Sequence, residues 1–65
     1  MNRAEKEHRI KGGSGPFPSF QEIMESARQT RDRRLKLAED EEERATIEKE
    51  YDDKLDRILA EMLQN

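Results

Sequence analysis

Hydrophobic side chains follow two helical stripes along residues 19–65. The first stripe contains Phe20, Ile23, Met24, Ala27, Leu35 and Ala38. The second contains Ile47, Tyr51, Leu55, Ile58, Leu59 and Met62. At about 100° per residue, each stripe occupies one face of a helix. Neither Gly nor Pro interrupts this region. The pattern therefore predicts an all-α fold, with one helix over 19–38 and another over 41–64.

Capping signatures mark where the two helices begin. Pro18 precedes Ser19-Phe20-Gln21-Glu22, which has the form of a capping box. At the second helix, Asp40 is placed to act as the N-cap and Glu43 as the third helical residue. Basic residues crowd the end of the first helix and glutamates fill the first turn of the second, which complements both helix dipoles. These signals predict a turn near 39–41.

Two arrangements of these helices are compatible with the stripes. In an antiparallel hairpin, facing residues have numbers that sum to about 82. Leu35 then meets Ile47, and Arg31 can form a cation–π contact with Tyr51. In one long continuous helix or coiled coil, charged residues would fill the middle of the seam: Arg34, Glu41, Arg44 and Glu48. We therefore expect the hairpin, although the turn lacks the Gly, Asn or Pro that most such turns use.

Residues 1–18 differ in composition and predict an N-terminal arm. They contain all three glycines and both prolines of the chain, and Gly12–Gly15 predicts a flexible hinge. We expect the arm to be extended, and either flexible or ordered by a partner. A helix over 4–10 is too short to persist alone in water. The arm also carries a net positive charge, and four of its cations are expected to contact a partner: Arg3, Lys6, Arg9 and Lys11.

Composition restricts the classes of function. The 65 residues are 45% charged and 31% hydrophobic, with no cysteine, which predicts one small domain without disulfides or thiolate metal sites. Thirteen basic and sixteen acidic residues give a net charge of −3, unlike a general nucleic-acid binder. The longest apolar run is far too short to span a membrane, and the chain does not open with a signal peptide. We expect it in the cytoplasm or within a viral particle.

No residue pattern indicates catalysis. His8 is the only histidine and lies in the arm, where a solvated role is expected. Three carboxylates cluster on the second helix among three cations: Asp52, Asp53 and Asp56, with Lys49, Lys54 and Arg57. This mixture is typical of a solvated helical face. We expect no enzymatic activity, no cofactor, no metal and no small-molecule substrate.

The shortage of apolar side chains predicts that the protein depends on association. A seam of about a dozen side chains does not comfortably offset the conformational entropy of ordering residues 19–65. We expect a non-enzymatic protein-interaction module that binds a protein partner or forms a homo-oligomer, as a small accessory or assembly subunit of a larger complex. Small phage or viral structural proteins are similar in build. The expected association residues, with the two phenylalanines as anchors, are Phe17, Phe20, Ile23, Met24, Leu55, Ile58, Leu59 and Met62.

Two other functions are compatible with the sequence. One is a small regulator or inhibitor of a single target protein, which shares the same physics. The other is nucleic-acid association through the segment Arg28–Lys36, which has five cations in nine residues. Neighbouring carboxylates cancel much of that positive field, and no interleaved aromatic residues offer a stacking platform for bases. Nucleic-acid binding is therefore the weaker alternative.

Overall fold

The computed structural model describes residues 2–12 and 19–64, which form three α-helices. Helix α1 spans Arg3–Gly12, α2 spans Ser19–Leu37 and α3 spans Glu41–Gln64. None of the described residues is in a β-strand, so the predicted all-α fold is confirmed. Phe17, most of the predicted hinge and the side chain of Ser19 lie outside the described residues.

The chain leaves the helical conformation between α2 and α3, at residues 38–40. The backbone N–H of Glu43 donates to Asp40 Oδ1 at 2.7 Å, and the N–H of Glu39 donates to Glu43 Oε2 at 3.4 Å. The first bond confirms Asp40 as the N-cap and Glu43 as the third helical residue, because it satisfies a donor that the helix start leaves free. The alternative of one continuous helix is therefore wrong.

The contacts between α2 and α3 are those of an antiparallel pair. Near the turn, the Arg34 guanidinium pairs with the Glu50 carboxylate. One turn further along, Arg31 Cζ lies 4.4 Å from the centre of the Tyr51 ring, as the sequence predicts. At the far end, residues from the start of α2 share a cluster with residues from the second half of α3.

The core is built from all three helices. Its cluster of buried side chains consists of Ile10, Phe20, Met24, Tyr51, Leu55 and Ile58, with Ala27, Leu59 and Met62 packed against it. Ile10, Met24 and Leu55 are fully buried. Burying one such side chain contributes about 1.5–3 kcal/mol. Ile47 and Ala38 are also buried. The core therefore differs from the two-helix seam expected from the stripes: it includes Ile10 of α1, whereas Ile23 of the first stripe is exposed.

Helix α1 corrects the expectation of an extended arm over residues 3–12. Asn2 Oδ1 accepts a hydrogen bond from the Glu5 N–H at 2.9 Å and so caps the helix start. At the other end of α1, Ile10 is inserted into the core with no exposed surface. A helix of ten residues is marginal alone, but tertiary burial and ion pairs supply the stability that local propensity lacks.

Candidate partner-binding site

The structure separates the predicted association residues by burial. Phe20, Met24, Leu55 and Ile58 lie in the chain's own core, so little of their surface is accessible to a partner. Leu59 and Met62 are half-buried beside that core. Ile23 is 38% exposed and is the most accessible of the set within the described residues. The candidate contact surface is therefore the exposed region around Ile23.

Ile23 borders a groove between α2 and α3, which we call the α2–α3 groove. Its volume is about 400 Å³. Helix α2 lines it with Ile23, Ser26, Ala27, Thr30, Arg31 and Arg34, and α3 lines it with Ile47, Glu50, Tyr51 and Lys54. No α1 residue lines the groove, and the ion pairs to α1 use side chains outside its lining. Among the described helices, α1 therefore leaves this groove uncovered.

The α2 side of the groove combines small side chains with an exposed stripe that continues beyond the groove lining to Leu37. Ser26, Ala27 and Thr30 keep this part of the helix surface low, which allows another helix to approach closely. Ile23, Thr30 and Leu37 follow at seven-residue spacing and so lie along one stripe. Leu37 is 76% exposed. The stripe extends about 21 Å along α2 at 1.5 Å per residue.

The charge lining the α2–α3 groove is positive although the whole chain is acidic. Three cations and one carboxylate line it: Arg31, Arg34 and Lys54, with Glu50. Arg31 is bonded to Asp32 at 3.0 Å, and Arg34 is paired with Glu50. Lys54 has no ion pair within 4 Å to any residue that the structure describes. It therefore offers a free positive charge at the groove.

On the α1 side, two of the four predicted arm contacts are used inside the chain. Arg3 pairs with Glu48. Lys6 Nζ lies 2.9 Å from Asp56 Oδ1 and 3.0 Å from Asp52 Oδ2. Hydrogen bonding to Asp56 and then to Asp52 raises the pKa of Lys6 above its usual value. The carboxylate cluster expected to be solvated is therefore partly covered by α1.

Arg9 and Lys11, the other two arm cations, are exposed. Neither has an ion pair with a described residue within 4 Å. They remain available on the outer surface of α1.

Tyr51 lies between arginines of two different helices. Arg31 is 4.4 Å and Arg3 5.6 Å from the ring centre, and the ring is almost fully buried. Burial raises the pKa of the Tyr51 phenol above 10.0, against the opposing effect of the nearby Arg28. Its hydroxyl is buried without a hydrogen bond of standard geometry to the described residues. The arrangement is structural, and it holds α1, α2 and α3 together.

The basic segment Arg28–Lys36 is largely engaged within the chain. Arg28 pairs with Glu7 of α1, Arg31 with Asp32 and Arg34 with Glu50. Phosphate binding requires cations that are free to contact it, so this segment offers less to a nucleic acid than its composition indicates.

Other kinds of site find little support in the described residues. His8 is exposed on α1, and within residues 2–12 and 19–64 no group of three or more His, Cys, Asp or Glu is arranged to hold a metal ion. No helix in this part of the chain is long and apolar enough to cross a membrane.

No protein-family model, curated protein or solved structure matches the chain. The candidate site therefore rests on the geometry of the α2–α3 groove and its exposed stripe. The seven-residue spacing of Ile23, Thr30 and Leu37 is a signal for this stripe in the sequence, although Ile23 also belongs to the first hydrophobic stripe.

Proposed function

We propose that the protein is a non-enzymatic helical module that binds a partner protein, as a small accessory or assembly subunit of a larger complex. We further propose that a helix of the partner occupies the α2–α3 groove. The observation that supports this most is a groove that α1 does not cover, with small side chains on α2 and the half-exposed Ile23 at its edge. A groove between two packed helices fits a third helix, because its side chains fill such a groove as ridges.

The charges of the groove specify the chemistry of the occupant. An amphipathic helix with an apolar stripe would cover Ile23 and Leu37, which are exposed on one side of α2. Acidic residues flanking that stripe would pair with Lys54 and complement the net positive lining. The proposed occupant is therefore an acidic amphipathic helix of another protein. The same proposal places the protein in the cytoplasm or within a viral particle.

A synthetic helix tests the proposal without knowledge of the natural partner. The probe is a fluorescein-labelled amphipathic peptide with a leucine stripe and glutamate flanks, and the control is the same peptide with lysine flanks. Fluorescence anisotropy should show that the acidic peptide binds the full chain about tenfold more tightly or better, because the groove lining is cationic. Equal affinity for the two peptides would contradict the proposed occupant.

Paired variants locate the binding surface. Ile23→Asp should abolish binding of the acidic peptide while circular dichroism stays unchanged, since Ile23 is partly exposed. Leu63→Asp is the matched control, because Leu63 is 88% exposed and does not line the groove. Binding that survives Ile23→Asp would show that the groove is the wrong surface.

Light scattering distinguishes a second copy from a different partner. The proposal expects a monomer at micromolar concentration. If the chain instead forms a dimer that Ile23→Asp dissociates, the occupant is a second copy and the partner-helix assignment is wrong. A one-to-one complex with a single cellular target would favour the role of regulator or inhibitor over that of assembly subunit.

A further inference from the structure

We propose that the face of α3 beneath α1 is a second binding surface, which takes a basic amphipathic helix of a partner protein, and that α1 is its displaceable resident occupant. We call this surface the α1 seat. It comprises the acidic row Glu48, Asp52 and Asp56, together with the apolar pocket that receives Ile10. The α1 seat lies outside the α2–α3 groove, so the inference goes beyond the function proposed above.

Four ion pairs and one buried hydrophobic side chain attach α1 to the other described helices. Arg3 pairs with Glu48 and also donates to its backbone carbonyl at 3.4 Å. Lys6 bridges two carboxylates of α3, as described above. Arg28 of α2 pairs with Glu7 of α1. Ile10 is the only hydrophobic side chain of α1 that is buried.

An attachment of this kind is readily reversible. The carboxylates that receive Arg3 and Lys6 remain between 34% and 56% exposed, whereas the Lys6 side chain is only 10% exposed. Ion pairs that solvent reaches from the carboxylate side weaken as salt is added. Helix α1 has ten residues, which is below the length at which a helix persists alone in water. Undocking and unfolding of α1 should therefore occur together, as a low-energy local opening.

The spacing of α1 defines what the seat recognises. Arg3, Lys6 and Ile10 are three and four residues apart, so one helical face presents two cations and one apolar side chain. The acidic row on α3 repeats every four residues, and its carboxylates receive the two cations. Any helix that carries a cation, a second cation three residues later and an apolar residue four residues after that makes the same contacts.

The seat extends further along α3 than α1 covers. Leu55, Leu59 and Leu63 repeat every four residues beside the acidic row. Leu55 is fully buried, Leu59 is half-buried and Leu63 is 88% exposed, so coverage declines along the row. A partner helix longer than α1 gains contact with Leu59 and Leu63. Helix α1 has the advantage of being tethered, with an effective concentration on the order of millimolar for a short connection. The added leucine contacts of the partner helix offset this advantage.

The test supplies α1 in trans to full-length chains. The probe is a fluorescein-labelled peptide with the sequence of residues 2–12, and the receptors are the wild-type chain and Ile10→Ser, in which the resident helix is released. Anisotropy should show about tenfold or greater tightening for Ile10→Ser, because its seat is vacant. A control peptide with Arg3→Glu and Lys6→Glu should bind neither receptor. Equal affinity of the original peptide for both receptors would overturn the proposal.

Further variants show whether the peptide uses the seat. In the Ile10→Ser chain, adding Asp52→Lys and Asp56→Lys should abolish binding, whereas adding Ile23→Asp should leave it unchanged. Binding that persists after the two lysine substitutions would overturn the assignment of the surface. Ile23→Asp affects only the α2–α3 groove, and the two lysine substitutions affect only the α1 seat. A failure of the proposed function and a failure of this inference are therefore seen with different variants.

A second receptor guards against a folding defect in Ile10→Ser. Lys6→Glu removes two ion pairs of α1 but leaves every core side chain in place. The peptide should also bind this chain more tightly than wild type, and its affinity should fall as salt rises. Affinity for Lys6→Glu that equals the wild-type affinity would overturn the proposal, whatever the state of Ile10→Ser.

Discussion

Replacing Ile10 by alanine tests how firmly α1 is attached to the other two helices. Ile10 is fully buried in the cluster that contains Met24, Leu55 and Ile58. The substitution removes roughly three methylene equivalents, which contribute about 0.8 kcal/mol each. With the cavity that remains, such a change costs roughly 2–5 kcal/mol in a rigid core.

The full cost need not appear in the global free energy of unfolding. A domain of this size is stable by roughly 3–9 kcal/mol in total. The variant can release α1 while α2 and α3 stay packed. The loss of unfolding free energy therefore cannot exceed the free energy that holds α1 in place. Helix α1 has 10 residues against 19 in α2 and 24 in α3, so its release should lower the circular dichroism at 222 nm by about a fifth.

Hydrogen exchange measured by NMR identifies the helix that opens. In Ile10→Ala, the amides of α1 should lose protection while those of α3 around Leu55 keep it. His8→Ala is the matched control, because His8 is exposed on the same helix and an exposed substitution changes stability by about 0.5 kcal/mol or less.

Two results would refute this reasoning. If Ile10→Ala melts all three helices in one cooperative step, α1 is an integral part of the core and not a separable occupant of its seat. If α1 keeps its protection and the chain keeps its stability, Ile10 does not contribute the buried contact that the structure assigns to it.

Three further predictions follow from neighbouring features of the fold. Met24→Ala should lower the free energy of unfolding by roughly 2–5 kcal/mol and Ile23→Ala by about 1 kcal/mol or less, because only Met24 is fully buried. Urea unfolding measures both values. Equal losses of stability would contradict the division between core and groove. Asp40→Ala should cost about 0.5–2 kcal/mol through loss of the N-cap, and Asp40→Asn should cost almost nothing, since asparagine caps equally well. Tyr51 is the only tyrosine and the chain has no tryptophan, so absorbance at 295 nm should report a midpoint above 10.0. Folding raises the pKa values of both Tyr51 and Lys6, so their contributions to stability are present below pH 10.0 for Tyr51 and below pH 10.5 for Lys6. These contributions should be lost as the pH rises beyond those values. A thermal unfolding midpoint that does not fall in this pH range would contradict both shifts.

Local patterns predicted much of α2 and α3. The cap at Asp40, the break before α3 and the contact of Arg31 with Tyr51 all follow from spacing, because hairpin partners are fixed once the turn is placed. The turn contains none of the residues Gly, Asn and Pro that most helix–helix turns use. Residues 38–40 nevertheless leave the helix, with Ala38 buried and Asp40 capping the next helix.

The docking of α1 was not predictable from local patterns. Asn2 and Glu5 have the spacing of an N-cap and the third helical residue, which is a readable signal for a helix start. However, Arg3 and Lys6 bind residues that are 45 and 46 positions away, and no local pattern specifies such partners. The carboxylates of α3 therefore looked like a solvated face. Only the assembled fold brings α1 onto Asp52 and Asp56.

The two proposed surfaces together account for the exposed apolar side chains. Among the described residues, the large exposed hydrophobic side chains are Ile23, Leu37 and Leu63. Single exposed apolar residues need no explanation, but these three lie on the stripe beside the α2–α3 groove or at the end of the α1 seat. The groove is lined by a positive excess and the seat by carboxylates. The two surfaces require occupants of opposite charge, so one helix cannot satisfy both. Ile23→Asp should therefore abolish binding at the α2–α3 groove alone, and Asp52→Lys should abolish binding at the α1 seat alone.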